Sequence, residues 1–436
     1  MMTDSDLQRL YPISATINSK NHFTIAGSDL SNLAETYRTP FYIYDRDTIH
    51  ENIHRIRSAM ADFYSGPGTI AYASKAYLSR KFASKIATEE VDLDVVSLTE
   101  LRFALAAGFS PDRIHFHGNN KSIEEIEIAV DQNIHAIVVD NMDELLLTER
   151  IANSKKKVAQ IWLRITPDIR VATHPHIETS AATSKFGFHI INGDAANAIE
   201  YAVNSSALCL TGLHCHLGSQ LFDPLPYQIA IEKMFDLAIN CNYTPLELSP
   251  GGGWGVPYVE DDPDSNPEQW VKAISETITK KCNRYQIRLP KLILESGRFI
   301  VARSGVAIYQ IGTQKKSVNG EKIIAVDGGM SDNPRNALYQ AKYTATPVDQ
   351  SVHSRKNPCK VVGKYCESGD VLIDNVMLPD LNYGDLLMIP VAGAYQLSMA
   401  SNYNLAPRPV VLWLEPEGKV EVLQERENLE QNSWWD

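Results

Sequence analysis

The chain has 436 residues, of which 44% are hydrophobic and 22% charged, with a formal net charge of -12. This composition is that of a globular protein, and the length exceeds one ordinary core, so we expect two domains. The excess of acidic residues argues against binding to nucleic acid or anionic lipid, because a protein that binds a polyanion needs a high local density of Lys and Arg. No export leader or membrane-spanning run is visible. We therefore expect a cytoplasmic protein with a small-molecule partner.

The first forty residues contain the apolar run HFTIAG (22–27), which fits none of the repeats that follow it. We expect residues 1–40 to join a second domain rather than the repeats.

Eight short β-branched runs alternate with amphipathic segments between Thr69 and Glu295. The runs are TIAYA (69–73), VDLDVV (91–96), RIHFH (113–117), AIVVD (136–140), AQIWLRI (159–165), LTGLHCH (210–216), LELS (246–249) and KLILE (291–295). The intervening segments have helical spacing, and one begins with Ser122 and Glu125 in a capping-box arrangement. Such a repeat predicts an α/β fold, a parallel (β/α)8 barrel, over residues 41–298. A Pro- and Thr-rich loop at 170–187 interrupts the repeat, and long loops in barrels are often functional.

Strand-like runs separated by turns follow Arg298, ending in PVVLWLEPEGKVEVL with a Pro-Glu-Gly turn between two alternating strands. This pattern predicts a second, mainly antiparallel β domain over residues 299–436.

Candidate functional residues follow the predicted barrel strands, at the end where barrel enzymes carry their active sites. Lys75 comes directly after the first run, where a destabilised ammonium could act as a Schiff-base nucleophile, although a solvated surface lysine is the commoner case. The glycine run SPGGGWG (249–255) exposes backbone N–H groups that could hold a phosphate, or it could be a simple tight turn.

Three more segments offer polar groups of the same kind. His216 and Ser219 follow the sixth run, and Glu295 lies beside Arg298 at the eighth, where the two could form a structural ion pair. Cys366 and Glu367 lie in a predicted turn, and a buried structural thiol is the alternative for the cysteine. None of the six cysteines has the spacing of a metal site, so we expect free thiols and no metal. The lysine, the glycine run, the histidine, the serine, the carboxylate and the arginine all lie at or just after the ends of predicted barrel strands. Their convergence at one end of the barrel predicts a pocket for a phosphorylated aldehyde cofactor.

In these motifs the chain resembles the fold-type III pyridoxal-phosphate decarboxylases, and among them the diaminopimelate decarboxylases. The motifs YASKA, HLGSQ, SPGGGWG, ESGR, GGMSDNPRNALY, CESGD and GAY…SMASNYN occur in family order between about Pro40 and Pro409. The resemblance implies decarboxylation of meso-2,6-diaminopimelate to L-lysine and carbon dioxide, with pyridoxal 5'-phosphate as cofactor.

The resemblance also implies a role for each candidate residue. Lys75 would carry the cofactor, His216 would stack on its ring, and Glu295 would pair with the ring nitrogen. Phosphate and pocket contacts would come from Ser219, Gly251, Gly252, Gly253, Ser296, Gly297, Arg298 and Tyr395. Substrate contacts would come from Arg298, Arg335, Tyr339, Glu367 and Tyr395. Cys366 would be the acid that reprotonates the product carbon, supplied by the other subunit of a homodimer.

Several positions depart from the usual family text. Ser296 stands where many members have Pro, Gln396 where Gly is usual, and the 405–408 segment lacks an earlier Arg. These departures leave open a sibling decarboxylase acting on ornithine, arginine, carboxynorspermidine or a carrier-bound amino acid. A racemase and a non-enzymatic paralogue are weaker alternatives, because Cys366 and Lys75 are both present.

Overall fold

The computed structural model describes residues 9–169, 184–351 and 356–431, and the chain forms two compact units. The barrel unit contains residues 53–255 and 265–297, and the β unit contains the rest of the chain. The predicted barrel start at residue 41 differs from this division. The strand Phe41–Asp45 is buried at every position and pairs with two strands of the β unit, so that unit extends through Asn52. Residues 256–264 also belong to the β unit.

Eight parallel strands form the barrel, and each overlaps one predicted run. They are β1 (Gly68–Ala73), β2 (Asp92–Val95), β3 (Ile114–Phe116), β4 (Ala136–Val139), β5 (Ala159–Thr166), β6 (Leu208–His214), β7 (Glu247–Ser249) and β8 (Lys291–Ser296). Each strand pairs with its sequence neighbour among these eight, and β8 pairs with β1, which closes the barrel. A two-residue strand, Phe188–His189, extends beside β5. The predicted (β/α)8 architecture is confirmed.

Helices connect the barrel strands. They are Arg46–Phe63, which contains the boundary between the units, Arg80–Ala87, Leu98–Ala106, Ile123–Gln132, Met142–Ser154, Asp194–Asn204, Leu225–Asn240 and Pro267–Tyr285. The predicted capping box is present: the Ser122 side chain accepts from the Glu125 backbone N–H, and the Glu125 side chain accepts from the Ser122 backbone N–H. Gly108, with φ 90°, follows the end of the helix Leu98–Ala106.

The β unit is built on a mixed sheet that is mainly antiparallel. Its strands in spatial order are Val371–Leu378, Asn357–Val362, Lys322–Val326, Gly305–Lys316, Phe41–Asp45, Val410–Glu415 and Lys419–Gln424, with Leu386–Ile389 and Thr346–Pro347 beside Gly305–Lys316. A small sheet of Thr16–Ile17, Phe23–Ile25 and Ser28–Asp29 contains part of the predicted HFTIAG run. The helices are Leu30–Tyr37, Arg298–Val301 and Arg335–Tyr339. Across the described ranges, no helix combines the length and apolarity needed to cross a bilayer.

A buried ion pair connects the loop that follows β3 to a helix of the barrel unit. The Lys121 ammonium donates to the backbone oxygens of Gly118 and Val138, at 2.8 and 2.7 Å, and to Glu144 Oε1 at 2.7 Å. Burial raises the pKa of Glu144 to about 7, although Lys121 acts in the opposite direction. All three ammonium protons of Lys121 therefore have acceptors, and the carboxylate depends on that ammonium.

Lys121→Met should lower stability by about 3–5 kcal/mol, because it leaves a buried carboxylate unpaired. Thermal unfolding followed by circular dichroism would measure the loss, and adding Glu144→Gln should recover most of it. Lys155→Met is the matched control, since the Lys155 and Asp131 side chains are 24% and 48% exposed and such pairs contribute about 1 kcal/mol or less. Equal losses in the two single variants would contradict a special role for burial.

Candidate active site

Four predicted residues or segments of the barrel unit lie where the strands end. Lys75 is exposed in the short turn Ser74–Ala76 directly after β1, and His216 is half-buried two residues after β6. Gly251–Gly253 follow β7, and Glu295 is the next-to-last residue of β8. Because the strands are parallel, these positions share the C-terminal end of the barrel, as predicted.

Glu295 is the most strongly held of these groups. The Ser249 hydroxyl donates to Oε1 at 2.6 Å, and His214 Nε2 lies 3.0 Å from Oε2. Burial opposes ionisation, but His214, His117 and Ser249 outweigh it and hold the pKa of Glu295 well below its usual value. Burial lowers the pKa of His214 to about 4. A neutral imidazole therefore faces an ionised carboxylate at neutral pH.

His216 is also an uncharged imidazole at neutral pH. Burial, and then the nearby Lys75 ammonium, lower the pKa of His216 well below its usual value. A neutral ring next to a lysine suits stacking against a flat aromatic ligand, since no second cation has to be accommodated.

The glycine run closely approaches two neighbouring strand ends of the barrel. A Cβ on Gly252 would lie 1.5 Å from the Glu295 carbonyl oxygen, and one on Gly251 would lie 2.4 Å from the Cys215 oxygen. A Cβ on Gly253 would lie 1.9 Å from the oxygen of Gly218, one residue before the half-buried Ser219. No side chain fits at these three positions, and the run presents backbone instead.

Two buried arginines of the β unit surround one tyrosine. Arg298 Nη1 donates to the Tyr258 hydroxyl at 2.5 Å, and the guanidinium carbon of Arg335 lies 4.9 Å from the Tyr258 ring centre. Arg335 Nη1 also donates to the Tyr343 hydroxyl at 2.8 Å. Burial raises the pKa of Tyr258, but the two guanidinium groups outweigh it, and the pKa is lowered. This group, which we call the arginine cluster, concentrates positive charge on buried donors.

Tyr395 belongs to the arginine cluster, whereas Tyr339 lies at the opposite end of the helix that begins with Arg335. The Tyr395 ring centre is 4.6 Å from the Arg298 guanidinium carbon, and Tyr395 has φ 61°. Tyr339 is half-buried.

Cys366 and Glu367 are exposed in a turn of the β unit. Asp370 holds this turn by accepting from the backbone N–H groups of Met330, at 2.7 Å, and Tyr365, at 2.8 Å. The alternative of a buried structural thiol is therefore wrong for Cys366. All six cysteines are free thiols.

Ser296, Gln396 and Arg408, at the positions that depart from the family text, are buried or half-buried. Ser296 is buried at the end of β8, and Gly297 packs closely, since a Cβ there would lie 3.1 Å from the Ala73 Cβ. Gln396 is fully buried, and the Arg408 backbone N–H donates to Glu427 at 3.1 Å. Most of the loop predicted at 170–187 lies outside the described residues, which resume at Ser184.

The partners of Glu295 and of the arginines were not identified from the sequence. His117 and His214 were placed only as strand residues, although the alternation in RIHFH and LHCH indicates side chains on one strand face. Nothing in the sequence around Tyr258 or Tyr343 indicated that these tyrosines contact the arginines.

A family model described as "Pyridoxal-dependent decarboxylase, pyridoxal binding domain" matches residues 46–302. The chain belongs to this decarboxylase family.

Curated relatives and solved structures agree with this assignment over nearly the whole chain. The chain is 41% identical over 419 residues to "Diaminopimelate decarboxylase" of Bacillus subtilis, covering 95% of this chain and 94% of that protein. A solved diaminopimelate decarboxylase from M. jannaschii, in co-complex with L-lysine, is 32% identical with a TM-score of 0.90, covering 96% of each chain. One from Helicobacter pylori, complexed with L-lysine, is 36% identical with a TM-score of 0.84, covering 92% and 98%.

The residues present fit pyridoxal phosphate, the cofactor of this family. Gly251–Gly253 bring bare backbone to this end of the barrel, because a Cβ at any of the three would overlap a backbone oxygen, and such a run suits backbone N–H donation to a phosphate. Glu295 is ionised and can pair with a protonated ring nitrogen, and Lys75 is an accessible amine at the same end of the barrel.

Gly252→Ala should abolish cofactor binding, because the added Cβ would overlap the Glu295 carbonyl oxygen and displace the end of β8. Titration of the apoprotein with pyridoxal phosphate, followed by fluorescence quenching, measures the effect. Gly312→Ala is the matched control, since its Cβ would meet only the Ala325 oxygen at 3.6 Å, and binding should stay unchanged. Normal binding by the Gly252 variant would show that the close approach is not needed.

Proposed function

We propose that the protein decarboxylates meso-2,6-diaminopimelate to L-lysine and carbon dioxide, the last step of lysine biosynthesis. The observation that carries the proposal is the arginine cluster, in a chain closely related to proteins named diaminopimelate decarboxylase. This substrate has an amino-acid group at each end, so the enzyme must bind a second carboxylate away from the reacting one. A buried guanidinium suits that carboxylate better than an ammonium would.

The proposed cofactor contacts follow from the chemistry of the barrel end. Lys75 provides the amine that attaches the cofactor covalently, and His216 presents its uncharged ring to the cofactor face. Gly252 and Gly253 donate backbone N–H groups to the phosphate, and Gly251, whose N–H donates to Ser249 Oγ at 3.1 Å, forms the turn that presents them. Ser219, Ser296, Gly297, Arg298 and Tyr395 complete the phosphate and pocket contacts.

Bound pyridoxal phosphate supplies an electron sink for the electron pair left when carbon dioxide departs. Glu295 supports this chemistry by holding a proton on the ring nitrogen. Because His214 and Ser249 keep the carboxylate ionised, it is a weak base toward that proton, which stays on nitrogen.

The proposed substrate contacts explain selectivity. Arg335 and Arg298 bind carboxylates, Glu367 binds the distal ammonium, and Tyr339 and Tyr395 line the site. Lysine, ornithine and arginine have no distal carboxylate, so they would leave a buried guanidinium without its partner, which disfavours binding.

Cys366 is the proposed acid, delivering its thiol proton to the carbon that lost the carboxylate. Cys366 is exposed on the β unit, so it is accessible to a second subunit. We propose a homodimer in which Cys366 and Glu367 of each subunit act in the active site of the other. The six free thiols fit a reducing compartment, and a cytoplasmic location is part of the proposal.

Carbon dioxide release from a panel of amino acids tests the reaction. With pyridoxal phosphate supplied, meso-diaminopimelate should be turned over, whereas lysine, ornithine, arginine and carboxynorspermidine should not. If the protein turns over ornithine, arginine or carboxynorspermidine but not diaminopimelate, it is one of the sibling decarboxylases.

Arg335→Lys should raise the KM for meso-diaminopimelate about 10- to 100-fold with a smaller change in kcat, because a point charge replaces a fork of donors. Steady-state kinetics measures both constants. Arg426→Lys is the control, since Arg426 donates to the backbone oxygens of Tyr37, Arg38 and Pro40 and should leave KM unchanged. An unchanged KM in the Arg335 variant would remove the proposed distal contact.

Cys366→Ala should lower kcat at least about 100-fold while cofactor binding is retained, because it removes a general acid. Cys209→Ala, which removes another exposed thiol, is the control. Mixing the Cys366→Ala and Lys75→Ala proteins should restore up to about a quarter of wild-type activity, since half of the dimers then have one complete site. Mixtures that stay inactive, although subunits exchange, would contradict shared sites.

A further inference from the structure

Four acidic and histidine side chains form a row inside the barrel unit, leading toward Glu295. Asp92 and Asp94 alternate along β2, and His115 and His117 alternate at the end of β3, with Asp94 directly opposite His115. No more than 9% of any of these side chains is exposed. Such polarity is unusual, because branched aliphatic residues dominate the interior of most barrels of this type.

Successive members of the row lie close to one another. His115 Nδ1 is 3.0 Å from Asp94 Oδ1, and its Nε2 is 3.7 Å from Asp92. His117 Nε2 is 3.5 Å from the same Asp94 oxygen and 3.9 Å from Glu295 Oε1. Since β3 and β8 are separated by β1 and β2, the approach of His117 to Glu295 crosses the barrel interior.

The Nε2 atom of His117 is buried and makes no hydrogen bond with any described residue. A buried nitrogen without a partner costs free energy, so its location between two carboxylates requires an explanation. Asp94 is already engaged by His115, whereas Glu295 Oε1 accepts from the Ser249 hydroxyl alone among the described residues and has a further lone pair. The 3.9 Å between His117 Nε2 and Glu295 Oε1 is about 1 Å longer than a hydrogen bond of this kind.

We propose that His117 is a positioning residue that donates its Nε2–H to Glu295 as a third donor, with Asp94 and His115 orienting the imidazole. The inference deepens the proposed function and rests on the pairing of Glu295 with the cofactor's ring nitrogen. Three donors on one carboxylate make it a weaker base than two do, and the proton between Glu295 and the ring nitrogen is held on nitrogen. The row therefore acts on the reaction without touching substrate.

The nitrogen-15 chemical shift of the ring nitrogen, in enzyme loaded with labelled pyridoxal phosphate, reports directly where this proton resides. His117→Leu removes the donor and should move the shift toward that of unprotonated pyridine, with about tenfold weaker cofactor binding. His117→Gln, whose amide nitrogen extends to a place near the lost Nε2, should restore the shift at least in part. Wild-type shift and affinity in the Leu variant would overturn the proposal.

His135→Leu is the matched control for loss of a ring from the barrel. His135 also pairs with a strand carboxylate, Glu247, at 2.8 Å, and packs on His115, but it has no contact with Glu295 among the described residues. The nitrogen-15 shift of the cofactor ring in the His135→Leu variant should match that of the wild type. An equal change in the His135 variant would mean that barrel packing, and not the His117 donor, moves the proton, and would overturn the proposal.

Two further variants separate the possible failures. Glu295→Gln should move the nitrogen shift more than any His117 variant. If the Glu295→Gln shift does not move, the proposed pairing of Glu295 with the ring nitrogen is wrong. If the nitrogen shift moves with Glu295→Gln but not with His117→Leu, only the role of His117 is overturned. If the Leu variant does not fold, the Gln and Asn variants make the comparison, because the shorter Asn side chain does not reach Glu295. Equal shifts in these two variants would then overturn the proposal.

Discussion

The ionised carboxylate of Glu295, buried at the end of β8, is the feature on which the barrel site depends. Burial alone would protonate this group, and two direct contacts, from Ser249 on β7 and His214 on β6, keep it charged. These strands must therefore end in register with β8, and the parallel pairing of β6, β7 and β8 provides that alignment. The glycine run that follows β7 is fixed by the same strand, since its backbone packs on the carbonyl of Glu295 itself.

Much of the architecture could be predicted from the sequence because its signals are local. Each barrel strand is a short β-branched run, and the Ser122 capping box and Gly108 mark helix ends within a few residues of themselves. The strand Phe41–Asp45 was assigned to the wrong domain because a central strand of a mixed sheet is buried on both faces, as a barrel strand is. Periodicity cannot distinguish the two cases.

The site was predicted less completely, for a different reason. Lys75, the glycine run and Glu295 could be identified because each lies at or just after the end of a strand, and parallel strands end together. The partners of these residues come from strands distant in sequence, so His117 and Ser249 carried no signal that linked them to Glu295. The arginines were recognised through the family resemblance, but Tyr258, which both of them contact, lies in a short segment that belongs to the β unit and not to the barrel that flanks it. The roles of these residues in binding cofactor and substrate stay predictions.

The segment 256–264 has a consequence for how this enzyme could change over evolution. Tyr258 follows Gly253 by only a few residues, so the glycine run and the centre of the arginine cluster lie on one short stretch of chain. An insertion in this stretch would displace the glycine run and Tyr258 together. A new substrate specificity is therefore more accessible through replacement of single side chains than through exchange of loops. Diversification within this lineage should be recorded as point substitutions around Tyr258, with the length of the stretch kept constant.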